Sequence, residues 1–85
     1  MYNKKYLLEK IEEMNRHNPI YDDMEDTVCY LAYFNIGERG WFLYENYFGS
    51  VHRIHTSIVQ DVEYTNNQVF VTTHNTKFTF TVIDG

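Results

Sequence analysis

The chain has 85 residues and a mass of 10.3 kDa, which bounds it to one domain with a marginal core, since a chain of this size buries only about 60 to 65% of the surface its unfolded form exposes. A hydrophobic share of 44% and an aromatic share of 18%, with eight Tyr, six Phe and one Trp, exclude a disordered chain despite a mean hydropathy of -0.50. The formal charge of -5, from seven Lys and Arg against twelve Asp and Glu, excludes a general nucleic-acid binder, which needs a basic surface to neutralise phosphates.

Residues 3 to 17 carry Leu7, Leu8, Ile11 and Met14 at helical spacing, with Asn3 able to cap the start and Asn18-Pro19 closing the end. The spacing predicts one amphipathic helix whose outer face holds Lys4, Lys5, Glu9, Lys10, Glu12, Glu13 and Arg16, with Lys5 and Glu9, and Glu12 and Arg16, four apart. Residues 18 to 27 read as an acidic loop, because Asp22, Asp23, Glu25 and Asp26 put four carboxylates into five residues. From Thr27 onward the pattern is that of strands. Val28 to Phe34 is a continuous apolar run that predicts a strand covered on both faces. Gly37-Glu38-Arg39-Gly40 reads as a turn that uses positive φ at Gly40 and leads into Trp41-Phe42-Leu43-Tyr44.

The segment Val51–Tyr64 alternates, with Ile54, Ile58, Val62 and Tyr64 on one face and Arg53, His55, Ser57, Asp61 and Glu63 on the other. Asn66-Asn67 turns the chain into Val69-Phe70-Val71-Thr72-Thr73, and His74-Asn75-Thr76 turns it again into a last strand with Phe78, Phe80 and Val82 inward. The fold class expected is therefore α+β, an N-terminal helix followed by about five antiparallel strands in a strongly bent sheet or a small SH3-like or OB-like barrel. No run reaches the roughly 18 apolar residues of a membrane span, the first residues lead into the helix pattern and not a signal segment, and a single Cys permits no intrachain disulfide. Those features point to the cytoplasm.

The densest set of chemically useful side chains is His52-Arg53-Ile54-His55-Thr56-Ser57. Arg53, His55 and Ser57 share one strand face at about 6.5 to 7 Å intervals, a spacing suited to several oxygens of one anion. Thr56 adds a hydroxyl, and Thr73, Asn75 and Thr76 in the next turn offer a second set of neutral donors, while Trp41 offers a surface for stacking a base. The competing reading pairs Arg53 with Asp61 or Glu63 on a solvated face. His52 and His55 are three apart and fall on opposite faces of a strand, so no metal site is read from them; His17 and His74 read as capping or exposed residues, and Cys29 as a small core residue. No nucleophile, phosphate-loop or dinucleotide pattern exists, which points away from an enzyme and implies no cofactor. Among Trp41, Phe42, Tyr44, Tyr47 and Phe48 both strand parities are aromatic, so Trp41 and Tyr47 need cover, most simply from a homo-oligomer.

The stretches Gly37 to Tyr44, His52 to Val59 and Thr73 to Phe78 resemble segments of small uncharacterised proteins of bacteriophages and prophages of Firmicutes. The resemblance covers roughly the C-terminal half and carries no catalytic residue over. It implies a phage origin, and small phage proteins of this type include anti-defence factors such as CRISPR inhibitors and sponges that sequester nucleotide immune signals. Two readings follow. In one, an oligomer holds a phosphorylated nucleotide signal with Arg53, His55, Thr56, Ser57, Trp41, Thr73, Asn75 and Thr76. In the other, Asp22, Asp23, Glu25 and Asp26 mimic nucleic acid and block the basic groove of a host nuclease. A structural or regulatory phage protein is a third reading. None involves direct nucleic-acid or membrane contact.

Overall fold

Where a helix was expected over residues 3 to 17, the described residues instead form a strand at Lys5–Glu13, the expected cap Asn3 lies outside the described residues, and the reason for the difference lies in the spacing that suggested the helix. In the computed structural model, which describes residues 4–84, β1 (Lys5–Glu13) pairs Leu8 with Phe80 and Ile11 with Phe78, while Glu9 between them has no partner on the neighbouring strand. One extra residue on a strand resets its alternation. Leu8 and Ile11, three apart, therefore both reach the interior, and three-residue spacing is also what a helix displays. A contact two residues apart, Lys10 Nζ to Glu12 Oε1 at 3.1 Å, follows from the strand's own periodicity.

Five further strands complete the architecture of the described residues: β2 (Thr27–Tyr33), β3 (Arg39–Glu45), β4 (Val51–Tyr64), β5 (Gln68–Thr73) and β6 (Thr76–Asp84). Each pairs antiparallel with the next, and β6 pairs with β1 to close the barrel. The class is thus all-β and not α+β, with no α-helix among the described residues. The path is a six-strand meander, unlike the five-stranded Greek key of an OB-fold.

The interior is packed with aromatic rings. Phe42, Phe78 and Phe80 are wholly buried and meet at centroid distances of 5.3 to 6.0 Å, with Leu8, Cys29, Ile54, Val59, Val69 and Val71 around them. The acidic loop contributes to this core, since Tyr21 and Met24 are buried and the Tyr21 ring stands edge-on to Phe78 at 5.4 Å. β1 pairs with β2 only from Tyr6 to Leu8, and beyond that point the loop covers the β2 side of β1. There the Asp26 N–H donates to the Leu8 carbonyl at 2.7 Å, and the Ile11 N–H donates to Glu25 Oε2 at 2.8 Å. Asn18, read as a helix stop, caps a single 3-10 turn at Pro19–Tyr21.

β4 is bulged twice. Gly40 faces two residues, Thr56 and Ser57, and Gln60 is extra opposite β5. The inward set on β4 is consequently Ile54, Thr56, Val59 and Val62, whereas Ile58 and Tyr64, expected inside, are exposed. Gly40 also departs from expectation: positive φ occurs at Gly37 (91°) and Gly49 (83°), not at Gly40. Its requirement is space, because a Cβ there would lie 2.5 Å from Phe34 Cδ1 and 2.9 Å from the Tyr33 carbonyl oxygen. Gly40→Ala is therefore expected to destabilise the barrel by about 1 to 3 kcal/mol, the usual range for overpacking. A chemical-denaturation midpoint equal to that of the unsubstituted chain would show that Phe34 moves aside at no cost.

Candidate functional site

A cleft of about 290 Å³ opens at the end of the barrel where β1 finishes. Arg16, His17, Asn18, Pro19 and Tyr21 form one wall; Arg39 from the start of β3, His55, Thr56 and Ser57 from β4, and Asn75 and Thr76 from the β5–β6 turn form the other. Sequence reasoning had found His55, Thr56, Ser57, Asn75 and Thr76, and the fold brings these five together. It does not bring Arg53, Trp41 or Thr73 to the cleft. Arg53 lies over the Trp41 ring at 4.5 Å on the outer barrel surface, so the half-buried indole receives part of its cover from within the chain. Thr73 is buried behind the turn.

The bulge at Gly40 organises the site. With two β4 residues opposite one, the Gly40 N–H loses a regular ladder partner and donates to Thr56 Oγ1 at 3.0 Å, while that hydroxyl donates to the Ser57 carbonyl at 2.7 Å. Thr56 is thus engaged in holding the backbone. Thr73 Oγ1 likewise accepts from the Thr76 N–H at 3.0 Å and donates to the Thr76 carbonyl at 2.9 Å, which closes the β5–β6 turn. Asn75 Nδ2 donates to Ser57 Oγ at 2.8 Å along one wall of the cleft, which leaves the serine proton directed elsewhere.

The Arg39 Nε–H donates to the Thr56 carbonyl at 3.0 Å, fixing the guanidinium, and among the described residues its two terminal nitrogens make no hydrogen bond. Among the described residues no carboxylate stands within 4.0 Å of Arg16, Arg39 or Arg53. The acids at this end are engaged elsewhere: the His17 ring meets Glu13 through Nδ1 at 3.0 Å and Asp22 through Nε2 at 3.1 Å. Both contacts are hydrogen bonds together only when the imidazole carries both protons. Three potential ligand atoms here lie within 4.8 Å of one another, all on exposed residues, yet both ring nitrogens already face carboxylates, so the geometry is that of an ion-pair clasp. The Tyr21 hydroxyl has its pKa raised, first by burial and next by the Glu13 charge, with the Arg39 charge opposing, so all three groups share one local field.

Arg16, Arg39, His17 and Tyr21 escaped sequence reasoning. Arg16 was assigned to a solvated helix face and Arg39 to a turn between two glycines. The available signal was Arg39 itself, a long cation in a turn with no acid at strand spacing on its far side. In the acidic set, Asp22 and Glu25 are tied to His17 and the Ile11 N–H respectively, so that group does not present four free carboxylates. No helix among the described residues is long and apolar enough to cross a membrane. Compared with family models, curated proteins and solved structures, the chain finds no match in any of the three.

Cys29 is wholly buried, and burial pushes its thiol from 9.0 up to about 12, the hydrogen bond with Thr27 offsetting a smaller part. A native-state pKa above the unfolded value means that the buried thiol's contribution to stability is full below about pH 9 and is lost as pH climbs toward about 12. Tyr21 acts with the same sign. At pH 8 iodoacetamide is expected to label Cys29 in the native protein many-fold more slowly than in the unfolded chain, and labelling at the unfolded rate would place the thiol at the surface.

Proposed function

We propose that the chain is a non-enzymatic binding protein whose cleft takes the phosphate of a small ligand of nucleotide class and withholds it from other proteins. The observation that supports this reading is Arg39, oriented by the Thr56 carbonyl and with no carboxylate within 4.0 Å among the described residues. A guanidinium so placed has two N–H edges that match phosphate oxygens. Arg16 adds a second positive charge, and His55, Ser57 and Asn75 add neutral donors. Thr56, Thr73 and Thr76 hold the cleft's shape. Trp41, across from His55 on the neighbouring strand, lies outside the cleft and under Arg53, and is not counted among the ligand groups.

The resemblance to phage proteins supports an anti-defence setting in which such a ligand is an immune signal, within the host cytoplasm and in a homo-oligomer. Every strand here is paired on both sides for at least part of its length, so an oligomer of this barrel forms through outer side chains and not through a free strand edge. The nuclease-inhibitor reading has less support, because Asp22 and Glu25 serve contacts within the fold.

Calorimetric titration with mono-, di- and cyclic nucleotides tests the proposal. Arg39→Ala is expected to weaken binding tenfold or more, about 1.5 to 3 kcal/mol for lost charge-assisted hydrogen bonds, with little change in melting temperature. Arg39→Lys restores the charge without the fork and is expected to recover only part of the affinity. A larger loss from Arg53→Ala than from Arg39→Ala would move the site to the outer face, and no heat from any nucleotide would remove the proposal.

A further inference from the structure

At the far end of β3 from Arg39, the hairpin into β4 holds Tyr47 and Phe48 at 96% and 86% exposure. They are displayed on a closed turn. Asn46 Oδ1 accepts from the Phe48 N–H at 3.0 Å and the Ser50 N–H at 2.9 Å, the Asn46 N–H donates to the Ser50 carbonyl at 2.8 Å, and Gly49 supplies the positive φ of 83°. The two rings meet edge to face at 5.4 Å and 81°. Rigid aromatic side chains lose little freedom on binding, so such a display favours recognition over accidental exposure.

Next to these rings lies a groove of about 480 Å³ that also includes Tyr44 and three carboxylates, Asp23, Asp26 and Glu45. Among the described residues none of the three has a Lys, Arg or His within 4.0 Å, and Glu45 accepts from the Tyr30 hydroxyl at 3.4 Å. Charge decides the occupant. An apolar partner, including the aromatic hairpin of a second copy, would strip water from three carboxylates and give them nothing in return. A cationic side chain is attracted by both halves of the groove, since it interacts with ring faces at up to about 6 Å and with carboxylates directly.

We propose that this groove docks a basic segment of a partner protein, with an Arg or Lys side chain laid across Tyr47, Phe48 and Tyr44 and its charge on Asp23, Asp26 and Glu45. The surface is separate from the anion cleft and does not depend on it.

The probe is a capped synthetic octapeptide of alternating Arg and Ser, with a second peptide in which each Arg is replaced by neutral, near-isosteric citrulline. Amide NMR titration is expected to show shifts confined to residues 23–28 and 44–48, with affinity falling as salt is raised and at least tenfold weaker binding of the citrulline peptide. Tyr47→Ser with Phe48→Ser is expected to weaken binding tenfold or more while leaving the remaining amide spectrum in place, because both side chains lie in solvent. Glu45→Gln, which leaves the rings untouched, is expected to weaken it several-fold. Equal binding of the citrulline peptide, shifts centred elsewhere on the barrel, no binding at about millimolar peptide, or sedimentation showing that Tyr47 and Phe48 are covered by a second copy of the chain would each overturn the proposal.

Discussion

The bore of a six-strand barrel is the constraint on which the rest depends. Barrel diameter grows with strand number, and about eight strands are needed before the interior is wide enough to hold a small ligand in addition to side chains. With six, the space is taken by Phe42, Phe78 and Phe80, and the loop after β1 seals the remaining gap with Tyr21 and Met24. Among the described residues the interior is filled by side chains. The two clefts lie at the ends of the barrel and on its outer wall.

A barrel this narrow demands tight curvature, and bulges supply it. Those at Glu9, at Thr56-Ser57 and at Gln60 each let a strand turn sharply while keeping apolar side chains inward. Each also frees a backbone group. At Gly40 the freed N–H is taken by the Thr56 hydroxyl, the freed Thr56 carbonyl takes the Arg39 Nε–H, and the arginine is thereby aimed into the cleft. The cleft's central cation is thus oriented by the same irregularity that closes the wall, and Gly40 is required because its missing side chain lets Phe34 approach.

Legibility in the sequence followed the same lines. Where strands run without interruption, as in β5 and in β6 as far as Val82, alternation reads directly: Val69, Val71, Phe78 and Phe80 are buried, and Phe70 and Thr79 only partly. Where a bulge intervenes, parity shifts and the reading fails, which is why residues 3 to 17 looked helical and why Ile58 was placed inside. The lining of the cleft was legible in the same measure. His55, Ser57 and Asn75 are locally polar and could be found one by one, but Arg16 and Arg39 come from segments whose meeting depends on the β1 path, which the helix reading had removed. Arg53 was attractive for its neighbours on a strand face, yet it lies over the Trp41 ring, which sits diagonal to it on the neighbouring strand, a relation that needs the register.

Net charge misleads most of all in a molecule arranged this way. The total of -5 argues against anion binding only if the charges are mixed over the surface, and they are not. Among the described residues, Arg16 and Arg39 face one end with no carboxylate within 4.0 Å, while Asp23, Asp26 and Glu45 face the other with no basic group within that distance, and Arg39 and Glu45 are the first and last residues of a single strand. Six residue steps at about 3.3 Å each put them roughly 20 Å apart along β3. That exceeds the Debye length of about 8 Å at physiological ionic strength, so through solvent each end is largely screened from the other. An anion arriving at the Arg39 end meets the local cations and, nearest to them, acids that His17 already engages. The sign of a binding end is set by the charges within about one screening length, and a sum over the chain does not report it.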